Sequence, residues 1–297
     1  MKKYQWLFRI LLYVSLLFLI YYLVKFDYLS LAKIQIRWFW LIISAIFLWA
    51  GFFFSTISWK MALKFHGVKI STELAVVSHG LSIFAKYIPG KLWVILGRAA
   101  YVGSREQLKV SELSFISLKE QLLYILLGLI ISFFPALIYF NHDYWVYIIL
   151  LTIFGLSLLL FVKPLHDFGE KILKKILRKD ISLPVITFKL SIKLSFYIVI
   201  YWIFYSIGFY FLVVSLTSDA NIIHAFAFPL AVSYGVLAIV TPGGIGVREG
   251  LIVAFLVSTG IDLQASVTIS VISRLWFISG EVFLFFLAFL LSKKRAW

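Results

Sequence analysis

Two glycine–proline breaks that carry charged residues interrupt apolar stretches of this chain. The first break is Lys86-Tyr87-Ile88-Pro89-Gly90-Lys91, and the second is Thr241-Pro242-Gly243-Gly244-Ile245-Gly246-Val247-Arg248-Glu249. Backbone that leaves helical geometry inside a bilayer has polar groups that lipid cannot satisfy, so such breaks must lie within protein or beside a watery cavity. Because charge at membrane depth is costly and usually functional, we predict that the two breaks form the working site.

The first break is predicted to bind an anion. Ser82 and Lys86 are four residues apart, which places them on one helix face. Pro89 suits the first position of a new helix, whose exposed N–H groups and positive dipole end attract anions. The cations that follow at intervals of seven residues are Lys91, Arg98 and Arg105.

The second break repeats this pattern. Gly243, Gly244 and Gly246 allow a ligand to approach the backbone closely, and Arg248 follows in the first turn of the outgoing helix. A guanidinium group can hold a phosphate through two parallel hydrogen bonds, so a phosphate or phosphodiester is the expected ligand. The alternative is that the glycines and prolines only cap helices, while the cations reach the phosphates of the membrane surface.

Three further charged residues lie in predicted spans. Glu120 is expected to be a solvated carboxylate at the membrane interface. Arg274 and Glu281 share one face of the last span, so they either line the cavity or pair with Glu249 or with each other. The complete set of candidate substrate-binding residues is Ser82, Lys86, Pro89, Gly90, Lys91, Arg98, Glu120, Pro242, Gly243, Gly244, Gly246, Arg248, Glu249, Arg274 and Glu281.

Composition indicates a membrane protein. The chain is 63% hydrophobic, well above the roughly 45–50% of soluble domains, and its mean hydropathy is +1.01. Without cysteine, thiol catalysis and thiolate metal sites are excluded, and the five histidines are scattered. The net charge of +15 is expected at loops and helix ends that face anionic lipid, so nucleic acid is not a predicted partner. No cofactor, metal or catalytic residue is predicted.

The elements that must position these residues are predicted to be membrane helices. The expected fold is an all-α polytopic protein with a single transmembrane domain over residues 1–297. Segments 72–103 and 222–261 each contain a break between short apolar pieces, so both are predicted to be re-entrant helical hairpins. The six predicted full spans are 5–24, 38–58, 120–140, 144–162, 193–217 and 264–292.

Loop charge predicts the orientation of these spans. The loop 163–193 is rich in lysine, whereas the connectors 141–143 and 218–221 lack lysine and arginine. The positive-inside rule then places both termini in the cytoplasm, against the contrary signal of a basic first loop. With this orientation, residues 1–140 and 144–292 become two repeats of opposite topology. Inverted repeats with matched interrupted segments are typical of transporters whose site lies near the midplane.

The two breaks resemble the transmembrane-domain family of lysylphosphatidylglycerol synthases. The resemblance lies in Lys86-Tyr87-Ile88-Pro89-Gly90-Lys91-Leu92-Trp93 with Arg98, and in Pro242-Gly243-Gly244-Ile245-Gly246-Val247-Arg248-Glu249; Arg274 also fits. The family pattern has a Glu-Arg pair near the third span, where this chain has Glu120 followed by Gln121. Membership implies movement of lipids with charged head groups between leaflets, and stand-alone members of the family imply polyprenyl-phosphate sugars or other glycolipid intermediates. The expected substrate is an anionic phosphate-containing lipid, such as a phospholipid, an aminoacyl phospholipid or a polyprenyl-phosphate-linked sugar.

The sequence thus predicts a non-enzymatic lipid translocase of a prokaryotic plasma membrane. Lys86, Lys91, Arg98 and Arg248 are expected to neutralise a lipid phosphate, aided by N–H groups at the starts of the half-helices. Glu249 and Glu281 are expected to hold the arginines in the empty site or to carry a proton. Homo-oligomers and partner lipid-modifying or glycosyltransferase enzymes are possible associations. The alternatives are a membrane-embedded enzyme acting on lipid phosphates and an accessory subunit of a glycosyltransferase.

Overall fold

A computed structural model describes residues 35–88, 92–139, 144–165, 167–168, 171, 187–238 and 241–294. This described part is 88% helix and contains no strand. The α-helices that build the site region are α1 (Trp38–Phe65), α2 (Thr72–Ser82), α3 (Leu92–Glu106), α4 (Val110–Tyr139), α5 (Tyr144–Phe161), α6 (Phe188–Leu216), α7 (Ala227–Leu237), α8 (Val247–Ser258) and α9 (Leu263–Lys294). The all-α polytopic fold class is therefore confirmed.

Helices α1, α4, α5, α6 and α9 are long and apolar enough to cross a membrane. They agree with five of the predicted spans, whereas the predicted span 5–24 lies outside the described residues. The third of the predicted full spans needs a correction, because α4 begins at Val110 rather than at residue 120. Hydropathy misses its first three turns because polar side chains such as Ser117 and Glu120 are buried there against other helices.

The two segments with breaks are built from shorter helices. Helices α2 and α3 have 11 and 15 residues, and α7 and α8 have 11 and 12. All four are shorter than the roughly 20 residues that cross a bilayer. Short 3-10 helices lie beside the breaks, at Ile83–Tyr87 and at Pro242–Gly244, and a third, Ile222–Phe226, precedes α7. That the segments are re-entrant hairpins stays a prediction, which these lengths support.

The helices pack in a reciprocal pattern. In the first half, α2 contacts α9 of the second half, and in the second half α7 contacts α4 of the first. Likewise α3 packs on α4 while α8 packs on α9, and the equivalent helices α1 and α6 pack on each other. If the two halves are related by a two-fold axis, each contact between helices must recur between their equivalents in the other half, as these contacts do. The inverted repeat stays a prediction, and this packing supports it.

Helices α1 and α6 approach closely through small residues. The Ser44 hydroxyl donates a hydrogen bond of 2.6 Å to the carbonyl of Gly208. A β-carbon at Gly208 would lie 3.2 Å from the Leu48 nitrogen, so a larger residue would push the two helices apart by a few tenths of an ångström. Small residues at such interfaces let membrane helices gain van der Waals contact and interhelical hydrogen bonds. Helix α1 also contacts α2, and α6 contacts the 3-10 helix at Ile222–Phe226 and α7, so the pair packs against both segments with breaks.

Candidate functional site

The two breaks touch each other inside the protein. The 3-10 helix at Ile83–Tyr87 contacts the one at Pro242–Gly244. A β-carbon added to Gly243 would lie 3.1 Å from Tyr87 Cε1, and the φ of Gly243 is +61°. Glycine is the residue that adopts this left-handed conformation at low cost. Segments that are about 150 residues apart in the chain therefore meet at one point.

A cavity of about 350 Å³ lies beside this contact, and we refer to it as the central cavity. Its volume is near the lower end of the roughly 300–1,000 Å³ of small-molecule sites. Residues from both halves line it, and the lining is mostly apolar and aromatic. Its charged and aromatic lining residues include Lys86, Arg98, Glu120, Tyr124, Tyr201, Tyr205, Arg248, Arg274 and Phe277.

Glu281 of α9 binds the first break. Its carboxylate forms an ion pair with the Lys86 ammonium group and accepts a 2.9 Å hydrogen bond from the Tyr87 hydroxyl. Glu281 is fully buried. The Lys86 ammonium also lies 4.7 Å from the ring centre of Phe277, in cation–π geometry. Burial of this carboxylate is therefore compensated by a cation and a hydroxyl donor from the same break.

Arg274 of α9 binds the second break. Its guanidinium donates a 2.9 Å hydrogen bond to the carbonyl of Gly243 and lies 3.6 Å from the Glu249 carboxylate. Glu249 in turn accepts a 2.7 Å hydrogen bond from the backbone N–H of Gly246. Helix α9 thus contacts both breaks through charged side chains two turns apart. Both Glu249 and Glu281 were expected to hold an arginine. Glu249 pairs with Arg274 as expected, whereas Glu281 pairs with Lys86 instead.

A separate buried ion pair joins α3 to α4. The Arg98 guanidinium donates hydrogen bonds to Glu120 at 2.7 Å and to the Ser117 carbonyl at 2.9 Å. It also stacks 4.4 Å from the ring centre of Trp59. The second Glu120 oxygen accepts a 2.9 Å hydrogen bond from Ser58. The expectation of a solvated Glu120 is therefore wrong, because Glu120 is buried and paired with Arg98. The family pattern has an arginine directly after the glutamate, where this chain has Gln121; here Arg98 of α3 provides the guanidinium.

Arg248 is the lining cation without a carboxylate partner among the described residues. Its side chain is only 4% exposed, and its one hydrogen bond is a long contact of 3.4 Å to the Ser273 carbonyl. Its Nε atom is buried and has no hydrogen-bond partner in the described part of the chain. The guanidinium lies beside the rings of Phe228 and Phe277, at 4.9 and 4.5 Å from their centres. These rings stabilise the cation only in part and leave one positive charge uncompensated.

Some predicted site residues lie away from the central cavity. Ser82 is fully buried, donates to the carbonyl of Ser78 and packs on Gly97, so it does not line the cavity. Gly244 packs against the backbone of Gly235. Pro242 opens the 3-10 helix of the second break. The predicted site residues Pro89, Gly90 and Lys91 lie outside the described residues.

The start of α8 does not offer its first N–H group to a ligand. The Glu249 carboxylate accepts the hydrogen bond from the Gly246 nitrogen and so occupies the place predicted for an anion. A carboxylate is favoured there by the same unpaired N–H groups and helix dipole that were expected to attract phosphate. Arg248 from the first turn remains directed at the cavity.

Several lining residues were absent from the sequence-based set. They are His79 and an aromatic wall formed by Tyr124, Tyr201, Tyr205 and Phe277. Tyr87 does not line the cavity, but it contacts the lining residue Gly243 and was also absent from the set. Tyr87 had a detectable signal, since it lies within the first break. The aromatic wall had none, because aromatic residues are 19% of the chain and occur in every apolar stretch. No group of three histidine, aspartate or glutamate side chains that could hold a metal occurs within the described residues.

Comparison with known proteins gives one family match. The model of the family described as "Lysylphosphatidylglycerol synthase TM region" matches residues 6–278, which is most of the chain. No curated protein and no solved structure matches the chain. The match covers both breaks and the Arg98–Glu120 and Arg274–Glu249 pairs, and it ends within α9 before Glu281.

Proposed function

We propose that this chain, which belongs to the lysylphosphatidylglycerol synthase TM-region family, moves an anionic phosphate-containing lipid between the leaflets of a membrane. Its place in a membrane and its relation to lipids follow from the family and from five membrane-length helices. The observation that carries the finer proposal is Arg248, a buried cation that faces the central cavity without a carboxylate partner in the described residues.

The phosphate binds to Arg248 in this proposal. Removing a guanidinium from water costs several kcal/mol, and a hydrogen-bonded anion offsets that cost. Its free Nε atom and terminal nitrogens can form two parallel hydrogen bonds with phosphate oxygens. Lys86 and Arg274 lie on the same cavity and can turn from Glu281 and Glu249 toward the phosphate.

The cavity lining suits a lipid rather than a free ion. Tyr124, Tyr201, Tyr205 and Phe277 give it broad apolar faces beside the cations. Such faces stabilise the glycerol and the first methylenes of a lipid through burial of apolar area. The acyl tails remain in the bilayer and only the head group enters the cavity. The protein thus offsets the cost of removing the charged head group from water, which is the main barrier to crossing the membrane.

Access from each side requires a change at the contact between the two breaks. Because α9 contacts the first break through Glu281 and the second through Arg274, displacement of either carboxylate by a phosphate loosens that contact. Rocking of the two halves then exposes the head group to the other side, as in other transporters built from repeats. The chain acts in this proposal without making or breaking a covalent bond, in a prokaryotic plasma membrane with cytoplasmic termini.

A vesicle assay tests the proposal. Purified protein is reconstituted in vesicles that contain phosphatidylglycerol labelled on an acyl chain, and a reagent outside reports the label that reaches the outer leaflet. We expect faster movement than in protein-free vesicles, and a return to that background with Arg248→Ala. Arg105→Ala is the matched control, since Arg105 is an exposed cation on α3 away from the cavity. Movement no faster than in protein-free vesicles, or unchanged in Arg248→Ala, overturns the proposal.

A further inference from the structure

We infer that the central cavity selects lipids whose head group carries one negative charge on a phosphodiester and no cationic group. This inference rests on the proposed function and narrows its substrate class. It comes from the charges of the cavity and their partners in the described residues. The inference depends on Arg248, which has no carboxylate partner among the described residues, and on the burial of the residues around it.

Within the described part of the chain, the cations that line the cavity exceed their carboxylate partners by one positive charge. Each of three lining cations contacts a carboxylate within 4.0 Å, and the fourth, Arg248, contacts none among the described residues. The carboxylates are buried or nearly so, which keeps water from screening them. The three pairs are Lys86 with Glu281, Arg98 with Glu120, and Arg274 with Glu249.

A monoanionic head group restores neutrality in this site. In a low-dielectric site each uncompensated charge costs several kcal/mol, so the net charge of the bound state decides between lipids. A phosphodiester brings one negative charge and cancels that of Arg248. A phosphomonoester dianion leaves one negative charge in excess, and drawing a cation from an existing pair such as Lys86–Glu281 only moves that excess charge to the carboxylate.

An ammonium group on the head group finds no unpaired carboxylate. Glu120 accepts hydrogen bonds from Arg98 and Ser58, and Glu281 accepts one from Tyr87 beside its ion pair with Lys86. A lipid amine would have to displace a protein cation, which leaves that cation buried and unpaired. Zwitterionic and aminoacylated phospholipids are therefore disfavoured.

The size and remaining polar groups of the cavity suit a compact hydroxylated head group. Its volume of about 350 Å³ accommodates a phosphodiester with a small polyol rather than an oligosaccharide. His79 lines the cavity, and its Nδ1 atom is buried without a hydrogen-bond partner in the described residues. A head-group hydroxyl can satisfy that atom, which would otherwise cost about 1–3 kcal/mol.

The test compares four acyl-labelled lipids in otherwise identical vesicles at pH about 8, where a phosphomonoester with a second pKa of about 6 is a dianion. The lipids are phosphatidylglycerol, phosphatidic acid, phosphatidylethanolamine and lysylphosphatidylglycerol. We expect phosphatidylglycerol to move at least about tenfold faster than each of the others, because each of the others leaves a buried charge unpaired.

A charge-shift variant separates charge balance from shape. Glu249→Gln removes the negative charge beside Arg274 and raises the excess among the described residues to two positive charges, so we expect the preference to shift at least about tenfold toward phosphatidic acid. The neutral matched control is Glu112→Gln, which removes a half-exposed carboxylate near the start of α4 and is expected to keep the wild-type preference.

The outcomes distinguish this inference from the proposed function. If all four lipids move at similar rates above background, the selectivity inference is wrong while the translocase proposal stands. If phosphatidylglycerol is preferred but Glu249→Gln does not shift that preference, charge balance is not its cause and the inference is overturned. If no lipid moves faster than in protein-free vesicles, the translocase proposal is overturned and the inference with it.

Discussion

The ring of Tyr87 lies against Gly243, so the two breaks of the chain share a contact that no third residue separates. Tyr87 is held there by its hydrogen bond to Glu281, and Gly243 by the hydrogen bond that its carbonyl accepts from Arg274. Both partners belong to α9. The contact between the breaks is therefore fixed from one helix, and changes at this point should affect both halves together.

Gly243→Ala should weaken this contact. Its β-carbon would lie 2.5 Å from an Arg274 nitrogen and 3.1 Å from Tyr87 Cε1, at a φ of +61°. The left-handed backbone alone costs an alanine about 1–2 kcal/mol. We expect a lower Tm in detergent and slower lipid movement. The matched control is Gly155→Ala in α5, where a β-carbon meets nothing within 4 Å; an equal effect of both variants would contradict the explanation.

Lys86 and Glu281 should depend on each other for stability. Glu281→Gln leaves the partly exposed Lys86 ammonium beside the Phe277 ring and two arginines, while Lys86→Met leaves a fully buried carboxylate. Breaking a buried pair costs about 3–5 kcal/mol, and removing both members costs less. We expect each single variant to lower the midpoint of denaturant unfolding, and the double variant Lys86→Met with Glu281→Gln to recover part of it. Additive losses would show that the two charges do not interact.

The Arg98–Glu120 pair should be structural rather than part of lipid binding. Its charges are satisfied within α1, α3 and α4, with Ser58, Ser117 and Trp59 completing the contacts. We expect Glu120→Gln to destabilise the protein by about 3 kcal/mol in unfolding measurements, because Arg98 stays buried without its anion. Removing both charges with Arg98→Met and Glu120→Gln keeps the net charge of the cavity, so the lipid selectivity of that folded double variant should be unchanged. A changed preference among lipid head groups in the double variant would instead assign the pair to the binding site.

Arg248→Gln should separate stability from activity. Removing a buried cation that lacks a carboxylate partner in the described residues relieves a desolvation cost, so the Tm is expected to stay the same or to rise. Movement of phosphatidylglycerol should fall to background, since the phosphate loses its main partner. Arg248→Lys should restore it only in part, because an ammonium group cannot form the two parallel hydrogen bonds of a guanidinium. A strong drop in Tm with Arg248→Gln would make Arg248 a structural residue.

The apolar runs and the positions of glycine and proline in the sequence determined the helical class, five of the spans and the position of both breaks. These features are local, since about 20 apolar residues in a row are enough to cross a bilayer as a helix, and clustered glycine and proline favour the end of a helix. The charged residues beside the breaks were visible for the same reason. The start of α4 was missed because burial by other helices, rather than composition, keeps Glu120 from water.

The tertiary structure decided which charges are free. Lys86 pairs with Glu281 across 195 residues of sequence, and Arg98 pairs with Glu120 across 22. Ion pairing depends on distance and burial after packing, which residue spacing does not specify. From sequence, Lys86, Arg98 and Arg248 were equivalent candidates for binding a phosphate. Only the packing of α9 and α4 against the breaks neutralises the first two and leaves Arg248 directed at the cavity.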